Sequence, residues 1–190
     1  MKALFCTDGS EISYNAIRNY LDFYAPKDTV VDYICAVDWG FLPDDVIIEE
    51  SGFVNSCRNI ADEILIYTEN LITNAGYKFG NQIKLCGSAS EGILDQLKEN
   101  SYDIVILGSH GKKGFQRWLG SVSKDILDNS EIPVYISKYK KTEKRILFTF
   151  DNTLPNLKYA EKFCEITDLT NAKLDIITVI ESPDLLFANG

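Results

Sequence analysis

Ile104-Val105-Ile106-Leu107-Gly108-Ser109-His110-Gly111, running on into Lys112-Lys113-Gly114-Phe115-Gln116-Arg117-Trp118-Leu119-Gly120-Ser121-Val122-Ser123, decides the fold of this chain. An uninterrupted aliphatic run closed by glycine is the pattern of a parallel strand covered on both faces. Gly108 and Gly111 let backbone N–H groups come close to an anion with no Cβ between them. Gly120-Ser121-Val122-Ser123 then opens a helix whose first N–H groups and positive dipole end face the loop, the arrangement that binds phosphate. Each such contact is modest, roughly 0.3–1 kcal/mol, so several donors are expected to act together. Lys112, Lys113 and Arg117 add positive charge to the loop.

Working outward, apolar runs alternate with helical patterns. Strands are predicted at 2–7, 29–37, 81–86, 103–108 and 132–138, and helices near 11–24, 50–75, 90–99 and 120–129. Such alternation implies right-handed crossovers and a doubly wound parallel sheet, here five-stranded and Rossmann-like. Ligands of these sheets sit beyond the carboxyl ends of the strands, and Asp8, Val37 and Gly108 all fall at such ends. Trp39 to Asp45 reads as a connection crossing that same edge rather than as a mobile cover.

Gly108-x-x-Gly111 with Gly120-Ser121 resembles the nucleotide loop of the universal stress protein family. The spacer between Gly111 and Gly120 holds eight residues, one fewer than the family's usual spacing. The likeness extends to Lys2-Ala3-Leu4-Phe5-Cys6-Thr7-Asp8-Gly9-Ser10 as a first strand ending in Asp, with Ser10 opening the first helix. Gly87 to Leu94 resembles the family's strand-to-helix turn, and Ile132 to Ser137 its last strand. The resemblance implies an adenine-nucleotide α-hydrolase-like fold over residues 1–141 and ATP as the ligand, with Mg²⁺ or Mn²⁺ carried by the phosphates. It implies a nucleotide set of Thr7, Asp8, Val37, Gly108, Ser109, His110, Gly111, Gly114, Gly120, Ser121, Val122 and Ser123. Asp8 would accept ribose or amine protons, Val37 would border the base, and Ser121 and Ser123 would donate hydroxyls to phosphate. Asp8 and both serines have alternative roles at helix starts.

The single histidine, His110, has no carboxylate or nucleophile spaced to orient it, so a contact to phosphate or loop is favoured over general-base work. No paired acids are visible. The sequence therefore points to binding in a stress-response or regulatory module, with weak ATP hydrolysis as one alternative and a dimerising protein with an empty loop as another.

With 190 residues, 45% of them hydrophobic, the chain has ample material for a packed core. A net charge of −9 argues against nucleic acid or an anionic membrane as partner, because a phosphate-backbone binder needs a basic face. No apolar run reaches the roughly 18 residues of a membrane span, and a cytoplasmic location is expected. The five cysteines, Cys6, Cys35, Cys57, Cys86 and Cys164, have no metal-type spacing and read as reduced core residues.

A second pattern begins after Lys141-Thr142-Glu143. Arg145 to Thr153 echoes Lys2 to Ser10, Ala160 echoes Ala16, and Leu174 to Glu181 echoes Val31 to Asp38. Residues 142–190 are thus expected to form a partial βαβ repeat that carries no G-x-x-G loop. So small a unit buries too little surface to stand alone and should dock on another surface. A homodimer or higher oligomer to which it contributes contacts is the expectation.

Overall fold

A computed structural model describes residues 1–37, 51–110, 119–150 and 154–178. The first sheet is built from β1 (Lys2–Thr7), β2 (Val30–Val37), β3 (Lys78–Cys86), β4 (Ile104–Gly108) and β5 (Val134–Ser137), all parallel and ordered β3-β2-β1-β4-β5. Between them run α1 (Glu11–Phe23), α2 (Ser51–Asn74), α3 (Ala89–Glu99) and α4 (Ser121–Asn129). This is the predicted five-stranded α/β sheet. Its two faces carry separate cores, because successive side chains of a strand point to opposite sides. Ala3, Phe5, Val31, Tyr33 and Cys35 pack with α1 and α2, while Leu4, Cys6, Ile34, Val105 and Leu107 pack with Ile93 of α3 and Ile126 of α4.

Local chemistry sets the helix ends. Ser10 caps α1 by accepting from Ser13 N at 3.2 Å, a bond worth about 1 kcal/mol. Ala16, Ile17, Tyr20 and Leu21 then recur at helical spacing and are buried. Each fully buried aliphatic or aromatic side chain on this stripe stabilises the fold by roughly 1.5–3 kcal/mol. Pro26, just past the helix, cannot continue it.

β3 starts at Lys78, three residues before its predicted start. It pairs only with β2, so as an edge strand its residues 79–82 are exposed and need no apolar pattern. The pairing shifts between Val31 and Tyr33, and at that irregularity the buried Asp32 sits. Its carboxylate accepts from Asn81 N at 2.8 Å, Asn81 Nδ2 at 3.1 Å and Tyr102 Oη at 2.9 Å, and pairs with Lys2 Nζ at 2.9 Å. Burial opposes ionisation of Asp32, but these four donors outweigh it and hold the carboxyl below its usual range. Residue 80 must be glycine here, because a Cβ would collide with Asp32 Oδ1.

The remaining described chain is a second parallel pair, β6 (Arg145–Phe150) and β7 (Lys173–Thr178), joined by α5 (Leu154–Ile166). It docks against the first unit. Ile166 is buried in the α1/α2 core, Tyr20 Oη donates to Ile166 O at 2.9 Å, and Asp168 N donates to Tyr24 O at 2.6 Å. Lys162 Nζ pairs with Asp103 Oδ1 at 2.8 Å. Two sequence expectations need correction. Cys164 is exposed on α5, not in a core, because it lies two residues, about 200° around the helix, from both Lys162 and Ile166, which face the first unit. The α5 bounds also place Ala160 at the position of Ile17, one residue out of phase with the Ala16 match.

The dock carries a pH signature. The Lys162 hydrogen bond lowers the Asp103 pKa, and Asp103 in turn raises that of Lys162. Within the second unit, Asp168 is held down at about 2 by the Thr170 hydroxyl and amide and by Lys144, which steadies the turn whose amide reaches Tyr24 O. A depressed carboxylate stabilises above its unfolded pKa and loses that contribution as pH falls through the folded value. A raised lysine contributes below its unfolded pKa and loses it as pH rises through the folded value. Docking should hold steady from roughly pH 5 to 10 and loosen below about pH 4. Hydrogen-exchange protection of the Asp168 amide, referenced to that of Ile106, should fall selectively at acid pH; an unchanged ratio would contradict this.

Candidate functional site

β1 and β4 lie side by side where the strand order reverses, the position at which an open α/β sheet leaves a crevice beyond its carboxyl edge. The turn after β1 is locked by a relay of hydroxyls. Gly9 N donates to Thr7 Oγ1 at 3.0 Å, Thr7 and Ser13 hydroxyls meet at 2.8 Å, and Ser13 Oγ donates to Ser10 O at 2.8 Å. The Ser13 proton is committed to Ser10 O, so Thr7 is the donor of the middle bond. Asp8 Oδ1 accepts from Ser10 N at 3.0 Å, which fixes its carboxylate at the crevice mouth.

Gly108 ends β4 against the first turn of α1. A Cβ there would lie 3.0 Å from Ser13 N and 3.1 Å from Ile12 C, both backbone atoms that cannot give way. Ser123 Oγ donates to Gly108 O at 2.7 Å and ties α4 to β4. Gly120 N donates to Ser109 O at 2.7 Å and Ser109 N to Ser137 O at 2.9 Å. Ser109 Oγ lies 2.9 Å from His110 Nδ1.

These elements enclose a cavity of about 120 Å³. Its walls are apolar, from Cys6, Ile34, Ala36, Ile93, Leu107 and Val122, and its polar groups are Thr7, Asp8, Ser13, His110 and Ser123. Ala89 at the start of α3 completes the lining. The first turns of α3 and α4 thus both reach the cavity, and neither Ser88 nor Gly120 makes a side-chain cap bond. Positive dipole ends beside an apolar cavity suit a ligand with an apolar body and an anionic tail. Burial pushes the Cys6 thiol pKa up, which keeps this wall neutral.

Of the predicted set, Thr7, Asp8, Gly108, His110, Val122 and Ser123 line the cavity together. Ser109 is buried behind it, Gly120 and Ser121 form the start of α4, and Val37 is the last residue of β2. Gly111, Gly114, the basic Lys112, Lys113 and Arg117, and the Trp39–Asp45 connection lie outside the described residues. The Ser123 hydroxyl proton is engaged by Gly108 O, so toward a ligand this side chain has its lone pairs to offer. Sequence reasoning missed Cys6, Ser13, Ile34, Ala36, Ala89, Ile93 and Leu107. The alternation of Ile34 and Ala36 toward one face of β2 was the available signal. Among the described residues, no group of three or more His, Cys, Asp or Glu side chains could hold a metal ion, and no helix is long and apolar enough to cross a membrane.

The sequence pattern of the universal stress protein family matches residues 1–138. The chain belongs to the universal stress protein family. Universal stress protein MJ0577 of Methanocaldococcus jannaschii is 27% identical over 159 residues, which cover 74% of this chain and 96% of that protein. Its solved structure aligns with a TM-score of 0.65 over 74% of this chain and 97% of that one. A universal stress protein of Archaeoglobus fulgidus, 26% identical, aligns over 96% of this chain and 68% of its own with a TM-score of 0.71. The fold is shared with a family member from Arabidopsis thaliana solved with AMP bound, at 15% identity and a TM-score of 0.53 over 73% of this chain and 91% of that one. In this family setting the Gly108 end of β4 and the Asp8 turn are the two lips of the crevice.

Proposed function

We propose that this universal stress protein binds an adenine nucleotide, ATP first among them, in the cleft between β1 and β4 and acts as a nucleotide-dependent stress-response module in the cytoplasm. The observation that carries the reading is the apolar slot opening between the first turns of α3 and α4. In this reading Ile34, Ala36, Leu107 and Ile93 hold the base. Asp8 and the backbone near Thr7 and Val37 meet its polar edge and the ribose. Ser109, His110, Gly111, Gly114, Gly120, Ser121, Val122 and Ser123 surround the phosphates. A divalent cation, Mg²⁺ or Mn²⁺, would arrive on the phosphate oxygens. The family member solved with AMP supports an adenine ligand. In this reading binding and release are the activity, and homodimerisation is the proposed output.

Ligand-dependent melting tests the reading. A ligand at 100 times its Kd stabilises by about 2.7 kcal/mol, which for a chain of this size raises Tm by roughly 5–10 °C. ATP and AMP should both produce shifts of that order, and CTP should produce less than 2 °C at equal concentration, about the spread expected without specific binding. Equal shifts with all nucleotides would overturn adenine selectivity, and none with any would overturn nucleotide binding.

A further inference from the structure

Ser109 follows β4 with its backbone fully used. Its amide donates to Ser137 O at 2.9 Å and its carbonyl accepts from Gly120 N at 2.7 Å. The residue is 2% exposed, and its Oγ lies 2.9 Å from His110 Nδ1. Among the described residues that nitrogen is the one hydrogen-bond partner of the Ser109 hydroxyl. Two proton arrangements fit the distance. If Nδ1–H donated to Oγ, the serine proton would be left buried without an acceptor, which is the costly arrangement. If Oγ–H donates to Nδ1, both groups are satisfied, and the neutral imidazole carries its own proton on Nε2.

The other hydroxyls of the cavity wall spend their protons inside the fold, Thr7 on Ser13 Oγ, Ser13 on Ser10 O and Ser123 on Gly108 O. Asp8 supplies carboxylate acceptors, and the Cys6 thiol is a weak donor. Among the described side chains that line the cavity, His110 Nε2–H is therefore the one strong donor. The same residue stands where an anion would. A Cβ on Gly120 would lie 3.2 Å from His110 Cα, so the histidine abuts the residue that opens α4, where backbone N–H groups and the positive dipole end favour negative charge.

We propose that Ser109 is a positioning residue whose hydroxyl holds His110 in the Nε2–H tautomer, and that this N–H is the side-chain donor that meets an anionic oxygen of the ligand beside the start of α4. The Ser109 side chain then acts on the ligand only through His110. The cavity is polarised as a consequence. Acceptors at Asp8 and Thr7 face the donor-bearing part of the ligand and the one strong side-chain donor faces its phosphate, which sets the direction in which a nucleotide lies. The tautomer follows from the hydrogen bonds alone, whereas the ligand contact rests on the nucleotide reading.

The chain has a single histidine, so proton–nitrogen correlation NMR of isotope-labelled protein reads its two ring nitrogens without ambiguity at about pH 8, where an ordinary imidazole is neutral. In the nucleotide-free parent, Nε2 should resonate as the protonated nitrogen and Nδ1 as the bare one. Ser109→Ala should move both toward the averaged values of a free imidazole, and Ser109→Thr, which keeps the hydroxyl, should restore them; the backbone amide spectrum checks that each variant is folded. An Nδ1–H tautomer in the parent, or ring shifts indifferent to Ser109→Ala, would overturn the role of Ser109 whatever the ligand does. Titration with ATP and Mg²⁺ tests the contact. The Nε2 proton should move downfield on saturation, and His110→Ala should raise the Kd about tenfold, the lower end of what a hydrogen bond to a charged group contributes. Ser109→Ala should raise it about threefold, as the ring regains rotamer freedom. The double variant Ser109→Ala/His110→Ala should bind no more weakly than His110→Ala, because the serine has no other route to the ligand. Losses that multiply in the double variant, or saturable binding that leaves the Nε2 proton unmoved, would overturn the contact. A parent that shows the Nε2–H tautomer and binds no ATP would overturn the nucleotide reading, and the contact with it, while the role of Ser109 toward His110 stands.

Discussion

Asp32→Ala is expected to destabilise the chain by about 3 kcal/mol, the upper end of the cost of leaving a buried donor unsatisfied when its charged acceptor is removed. The carboxylate serves four donors from three places in the sequence, Lys2, Asn81 and Tyr102, and is itself fully buried. Its loss strands the Tyr102 hydroxyl, whose residue is only 7% exposed. Lys2 is one-third exposed and Asn81 lies on the exposed stretch of the edge strand, so both can recover water and most of the cost falls on the Tyr102 phenol. Tm should drop by about 10 °C, at 2–4 °C per kcal/mol for a chain of this size. Asp175→Ala supplies the internal control, because it breaks the corresponding ion pair where both side chains are exposed and should change stability by less than about 0.5 kcal/mol. Urea unfolding of the two variants measures both. Equal effects would show that the network around Asp32 contributes no more than a surface pair.

The second large effect concerns the proposed base slot. Ala36 lies near the carboxyl end of β2, half-buried, and forms part of the apolar wall opposite the starts of α3 and α4. An indole at this position would occupy the cavity while the backbone donors at the start of α4 stay where they are. Ala36→Trp is expected to weaken ATP binding at least 100-fold, equivalent to about 2.7 kcal/mol, with little change in the melting of the ligand-free protein. A variant that binds as the parent does would place the base elsewhere.

Much of this was legible in the sequence because the chemistry is local. The aliphatic run into Gly108, the Asp8-Gly9-Ser10 turn and the strand–helix alternation each sit within a few residues, and they led to the sheet and to six of the residues that share the cavity. The apolar walls were not legible. Cys6, Ile34 and Leu107 line the cavity, but in the sequence they are indistinguishable from neighbours that meet only packed side chains. Asp32 was equally silent, since its partners lie 49 and 70 residues away and only the folded sheet brings them together. The early start of β3 was hidden because an edge strand carries no obligatory apolar pattern. The second unit was visible as an echo, but the uneven burial of its two faces depends on which elements cover them.

The most direct test of the central claim is isothermal titration of ATP with Mg²⁺ into protein verified free of nucleotide by absorbance and mass. The proposed function predicts a saturating heat with one nucleotide bound per chain and a Kd in the micromolar range, weakened at least 100-fold in Ala36→Trp. No heat from correctly folded, nucleotide-free protein would contradict the claim and leave the cleft between β1 and β4 as a structural crevice.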